Sequence, residues 1–160
     1  MTIIGIDPGP ESCGMVVCCQ FDGEYMRVAK HGEPTVEDTV SMLQSGGGGA
    51  VVVEDMVGYG IQAGRSVFET CKVIGRIQQA CGDRVRLISR PEVKHELCNS
   101  PHANDANIRE ALIDLWGGKD AAIGSKKNPG PLYGVKGHAW SALAVAVAWK
   151  RIEDRKAVTT

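Results

Sequence analysis

The chain has 160 residues, enough for one domain with a full-sized core, and its 18 Lys and Arg against 19 Asp and Glu leave a formal net charge of -1. That balance excludes a global electrostatic pull toward nucleic acid, so any such contact must come from local patches. No apolar stretch is long enough to span a bilayer and no secretory signal pattern precedes the first apolar run, so a cytosolic location is expected.

Taken in chain order, Ile3, Ile4 and Ile6 are β-branched and apolar, which suits a strand covered on both faces. Asp7 interrupts that run at Pro8-Gly9, a turn dipeptide. Cys13 to Phe21 reads as a second strand, Asp22-Gly23 as a tight hairpin turn, and Glu24 to Lys30 as a third strand antiparallel to the second. Thr35, with Asp38 three residues on, reads as the N-cap of a helix reaching Gln44. The glycines Gly46 to Gly49 lead into a strand, Ala50 to Glu54, and lack the spacing of a phosphate loop, so they read as a plain connection. Met56 to Gly64 is a glycine-rich loop.

Val67, Cys71, Ile74, Gln78 and Cys81, beside Phe68 and Ile77, recur at helical spacing and predict a helix from Arg65 to Cys81. Arg84 to Ser89 alternates like a strand, and Pro91 suits the first turn of a short helix through Leu97. Asp105 to Trp116 carries Ile108, Leu112 and Leu115 on one helical stripe. Gly117 to Gly137 reads as one long loop, and His138 to about Asp154 as a last, apolar helix before a short polar tail, 155–160. The order β-β-β-α-β-α-β-α-α-α predicts an α/β fold: a mixed five-stranded sheet, three strands antiparallel and the rest parallel, with helices on its faces. The six cysteines form no C-x-x-C pair and the four histidines no H-E-x-x-H motif, so the thiols read as small core hydrophobes and no zinc site is expected.

Two of these buried strands end in acid. Asp7 closes the first, and Glu54-Asp55 follows Val51-Val52-Val53 in the fourth. A carboxylate at the edge of a core is costly unless something positive or hydrogen-bonding meets it. Either strand alone reads as a capped turn; the pair points to one shared cation.

The order and the motifs resemble the RuvC-type Holliday-junction resolvases of the ribonuclease H-like superfamily. The resemblance rests on Ile4-Gly5-Ile6-Asp7-Pro8-Gly9 with Gly14-Met15-Val16-Val17, and on Val52-Val53-Glu54 with the helix Ser66 to Ala80. Arg90-Pro91-Glu92-Val93-Lys94 and Gly137-His138-Ala139-Trp140-Ser141-Ala142-Leu143-Ala144 complete it, and the likeness reaches to about Arg151. It implies a single nuclease domain of ribonuclease H-like fold over residues 1–154. In that family an Asp on the first strand and a Glu on the fourth act with two acids three residues apart on the last helix, the first of them His in some members. Asp7, Glu54 and His138 match that pattern, and Lys94 matches a family lysine near the active site. Ser141 departs from it, standing where an Asp is expected, and Asp105 falls near a position where a lysine is common.

The resemblance therefore implies a metal-dependent, structure-selective endonuclease that cuts Holliday junctions or related branched DNA as a homodimer. Mg2+ is the expected cofactor, with Mn2+ as an alternative and two ions per active site. Two divalent ions about 4 Å apart can generate the attacking water, stabilise the phosphorane and neutralise the leaving group. The implied catalytic residues are Asp7, Glu54, His138 and Lys94. The implied metal ligands are Asp7, Glu54 and His138, with Ser141, Asp105 and Asp55 behind them. Asp55 also reads as a turn cap, Asp105 as a first-turn helix acid, His138 as a helix-start residue contacting backbone, and Ser141 as a small packing residue.

For DNA, Lys119, Lys126, Lys127 and Lys136 outweigh Asp120 in the long loop and suit phosphates without reading sequence, or form a solvated loop. Tyr59 could stack on an unpaired base, or be a plain surface residue. Gly75 would let a second copy's helix approach the predicted helix Arg65 to Cys81, or serve packing within the chain. Two rival readings stand beside the nuclease. One is a junction-binding protein that has lost cleavage, suggested by Ser141. The other is an actin-like or sugar-kinase-like ATPase, which needs a second phosphate-binding hairpin and a longer chain.

Overall fold

The computed structural model of the protein describes residues 1–20, 26–58, 60 and 62–159, so the Asp22-Gly23 turn and Tyr59 lie outside the described residues. Five strands, β1 (Thr2–Asp7), β2 (Gly14–Gln20), β3 (Met26–Gly32), β4 (Ala50–Asp55) and β5 (Val85–Ser89), form one sheet in the order β3-β2-β1-β4-β5. β1 pairs antiparallel with β2 and parallel with β4, β2 pairs antiparallel with β3, and β4 pairs parallel with β5. The helices are α1 (Val36–Ser45), α2 (Arg65–Cys81), α3 (Arg90–Cys98), α4 (Asp105–Leu115), the single turn α5 (Lys119–Ala122) and α6 (Ala139–Thr159). This is a mixed α/β architecture of ribonuclease H type. Among the described residues no helix is long and apolar enough to cross a membrane.

Alternation along the central strands divides the core into two layers. Ile3 and Val52 belong to the layer that α3, α4 and α6 cover, whereas Ile6, Val51 and Val53 belong to the layer against α1 and α2. The apolar runs of β1 and β4 therefore fit strands buried on both sides. The register Gly5↔Val52 and Ile6↔Val53 then sets Asp7 and Glu54 side by side at the strand ends, one step beyond the last paired residues. Asp7 continues the Ile3-Gly5 row and Glu54 the Val52 row, so both carboxylates belong to the face that carries α6. Asp55 is one residue further on, and the pleat turns it to the other face.

α6 lies directly on the backbone of the hairpin strands. A Cβ placed on Gly5 would stand 2.2 Å from the carbonyl oxygen of Ala142, and one on Gly14 would stand 2.2 Å from that of His138. Small residues answer on the helix side: Ala139, Ala142, Ala144, Ala146 and Ala148 are all buried. This close approach anchors the first turns of α6 over the ends of β1 and β2.

Local signals account for most element boundaries. The Thr35 hydroxyl accepts a hydrogen bond from the Asp38 N–H at 3.1 Å and donates to the Asp38 carboxylate, capping α1. Arg84 sits in a short 3-10 turn rather than in β5, and its guanidinium donates to the carbonyls of Leu43 and Gly47, pinning the glycine-rich connection. The segment expected as one long loop is partly ordered by burial: α5 forms within it, and Ala122, Leu132 and Val135 plug into the core. α6 continues past the expected end near Asp154 as far as Thr159, supported by the ion pairs Lys150–Asp154 and Lys156–Glu153 along the helix and by Arg155–Glu96 to α3.

The packing of α6 on β1 makes a direct prediction. Gly5→Ala forces a methyl group into a backbone carbonyl and should destabilise the protein by about 1–3 kcal/mol, the usual cost of overpacking a core. Chemical denaturation measures it, and an unchanged midpoint would show that α6 does not rest on β1 in this way.

Candidate active site

Asp7, at the end of β1, is one centre of charge. Its Oδ2 lies 3.0 Å from Nδ1 of His138, the residue just before α6. The Asp7 side chain is 17% exposed and that of His138 is 71% exposed, so the pair forms a partly buried carboxylate holding an imidazole that faces solvent. His138 is held from behind as well. Its backbone N–H donates to Glu33 Oε1 at 2.6 Å. Gly137, at φ +53°, precedes it, and a Cβ there would collide with the same Glu33 carboxylate. Glu33 reaches this point because the Cys13 N–H donates to the Pro34 carbonyl and the Val36 N–H to that of Glu11, closing the β3–α1 connection onto the turn after β1.

Glu54 forms the second centre. Arg90, the first residue of α3, donates from Nη1 to Glu54 Oε2 at 3.0 Å and from Nη2 to Asp105, the first residue of α4. Side-chain exposure is 15% for Glu54 and 22% for Arg90, against 83% for Asp105, so the inner arm of this bridge is shielded and the outer arm is not. Burial pushes the Glu54 carboxyl above its ordinary range; Arg90 pulls it back, and the charges of Asp7 and Asp105 push it up again, leaving it raised. Burial opposes the Arg90 charge too, but Glu54 and Asp105 outweigh it and its guanidinium is held above its ordinary value. The two centres therefore sense each other across the strand ends.

The start of α3 places Arg90. The register Asp55↔Ser89 carries the chain past the end of β5 beside β4. The backbone N–H and hydroxyl of Ser89 both donate to Glu92 Oε2, at 2.8 and 2.5 Å, and these bonds hold the Glu92 carboxyl below its ordinary range. With Pro91 in the first turn, this fixes the direction in which the helix leaves the strand. Beside the bridge opens a cavity of about 380 Å³, lined by Arg90, Asp105, Arg109, Trp140 and Ser141 among others. The Arg109 guanidinium stacks over the Trp140 ring, 4.6 Å from its centroid. Trp140 Nε1 is buried without a hydrogen-bond partner.

Asp7, Glu54, His138, Asp105 and Ser141 are thus brought to one end of the sheet. Lys94 lies one turn beyond Arg90 on α3 and makes no hydrogen bond or ion pair among the described residues; the cation in contact with Glu54 is Arg90. Asp105 occupies the first turn of α4, capped by Asn104, and also pairs with Arg90. Asp55 joins neither centre. Lys119, Lys126, Lys127 and Lys136 are all exposed, the middle pair at the tip of a turn closed between Ser125 and Asn128. Tyr59 lies outside the described residues. Sequence reasoning missed Arg90 and Glu33; for Arg90 the signal was present, since it opens the very segment read for its lysine.

As donors, two carboxylates and an imidazole are chemically suited to a hard divalent ion. In this structure Glu54 is engaged by Arg90 and Asp7 by His138. Among the described residues no three His, Cys, Asp or Glu side chains gather to hold a metal ion.

No family model matches the chain, and no curated protein sequence does. Solved structures do. The chain is similar to RuvC from Thermus thermophilus, with a TM-score of 0.67 at 18% identity, covering 96% of this chain and 97% of that one. It is similar also to T. thermophilus RuvC in complex with a Holliday junction substrate, with a TM-score of 0.71 at 18% identity and 96% of each chain covered. At this identity the likeness establishes the fold: the chain has the RuvC-like, ribonuclease H-type architecture over nearly its whole length.

Proposed function

We propose that the protein is a metal-dependent endonuclease that hydrolyses phosphodiester bonds in Holliday junctions or related branched DNA. The observation that supports it most is the pairing of Asp7 with His138 beside Glu54 at one end of a RuvC-like sheet. A carboxylate bonded to Nδ1 fixes the imidazole and leaves Nε2 toward solvent, where it can take a proton from a water attacking phosphorus. Arg90 and Arg109, on the wall of the adjoining cavity, carry the charge that an entering phosphate requires. Mg2+, with Mn2+ as an alternative and two ions as the family pattern implies, would supply Lewis acidity to the phosphate, with Asp7 and Glu54 as carboxylate ligands and His138 beside them.

The test is cleavage of a labelled synthetic four-way junction with and without Mg2+. Asp7→Asn and Glu54→Gln should lower cleavage by orders of magnitude while junction affinity persists. Wild-type cutting by either variant at saturating Mg2+ excludes this site. Tight binding by the wild type with no cutting establishes instead the junction-binding reading that Ser141 suggests.

The exposed lysines of the α4–α6 segment are assigned to phosphate contacts. In Lys126→Ala/Lys127→Ala the slope of log affinity against log salt should become shallower by somewhat less than two units, at about 0.9 for each phosphate no longer neutralised. An unchanged slope means that the two lysines are only solvated.

Symmetric cutting of two strands needs two sites, and we assign the homodimer seam to the outer face of α2. That face exposes Phe68 at 58% and Gly75, where an added Cβ meets nothing within 4 Å. Sedimentation velocity should show a dimer, and Phe68→Glu should shift it to monomer. A wild-type monomer at working concentration rejects the assignment.

A further inference from the structure

Arg90 occupies the place of a cation. Its fork spans Glu54, on the sheet, and Asp105, at the start of α4. The Ser89–Glu92 bonds and Pro91 fix the backbone from which it projects, so the guanidinium is delivered to Glu54 by the fold rather than by chance of a flexible chain. It cannot be deprotonated, and its inner arm is shielded from water. A divalent ion at the same carboxylate would face this charge across a short, poorly screened distance. Among the described residues the donors suited to a metal do not gather into a metal-holding group, and Arg90 stands where such an ion would meet Glu54.

We propose that Arg90 is the built-in counter-cation of the acidic centre and competes with the divalent ion for Glu54. The guanidinium has somewhere to go. It lines the cavity of about 380 Å³ shared with Arg109 and Ser141, and an anionic group entering there offers it a partner other than Glu54. Arg109, over the Trp140 ring and without a carboxylate partner among the described residues, lines the same cavity and adds a second positive charge for such an anion. Metal loading at Glu54 is thereby weak in the free protein and strengthens once a phosphate draws Arg90 aside. This inference rests on the reading of the centre as a divalent-ion site given under the proposed function.

The test is Mn2+ binding to the DNA-free protein, followed by electron paramagnetic resonance of the free ion. Arg90→Met should bind Mn2+ at least tenfold more tightly than wild type. Arg90→Lys, whose single ammonium reaches one carboxylate at a time, should fall between the two and guards against a misfolded Met variant. Arg90→Met/Glu54→Gln should lose the gain, because the freed carboxylate is gone. Added Mn2+ should raise the melting temperature of Arg90→Met more than that of wild type. Unchanged, weaker or absent Mn2+ binding in Arg90→Met and Arg90→Lys overturns the proposal. The outcome is separable from the nuclease reading: a wild type that cuts junctions while its Arg90 variants gain no affinity keeps the nuclease and removes the competition. Variants that gain affinity in a protein that cuts nothing do the reverse.

Discussion

The contact on which the site depends is between α6 and the bare backbone of β1 and β2. Gly5 and Gly14 present no side chain, so the helix settles against the strands until carbonyl oxygens of Ala142 and His138 occupy the space where Cβ atoms would be. Any larger residue at either glycine would lift the N-terminal turns of α6 away from the sheet. His138 would then leave Asp7, and Ser141 would leave the cavity it shares with Arg90. The alanine-rich helix and the two glycines are complementary halves of one surface.

On that surface the protein gathers acids and meets each of the three with a cationic or hydrogen-bonding partner. Asp7 has the His138 imidazole and Glu54 has Arg90, which also takes Asp105. Isolated buried charge is costly, and breaking one partner from a shielded pair is costlier than removing both. The Glu54 carboxyl stays above its ordinary range: even with Arg90 in contact, burial and the neighbouring acids disfavour its charged form.

Much of this could be read in the chain. The apolar runs before Asp7 and Glu54 announced strands buried on both faces, and the sheet they build is the one their order implied. Thr35, with Asp38 behind it, marked the start of α1, and the spacing from Val67 to Cys81 marked α2. What escaped depended on distant register. Arg90 meets Glu54 because β5 lies parallel to β4 with Ser89 opposite Asp55, a pairing that no local pattern carries. Lys94, which the motif singled out, sits one helical turn, about 5.4 Å, further along α3. Glu33 reaches the His138 backbone from 105 residues away, so its neighbours in sequence say nothing of its role. The Gly117 to Gly137 stretch looked loose because its glycines and prolines hide three scattered anchors, Ala122, Leu132 and Val135, that bury one at a time rather than with a period.

The separation between the two ends of the site bears on how the molecule comes into being. Asp7 and His138 lie 131 residues apart, and their contact closes nearly the whole chain into one loop. Contacts of that span form late, since the entropy of closure must be met before the contact can return anything. During synthesis both strand-end carboxylates and Arg90 leave the ribosome before His138 and α6 do. Docking of α6 therefore does two things at once: it closes one layer of the core and brings His138 to Asp7.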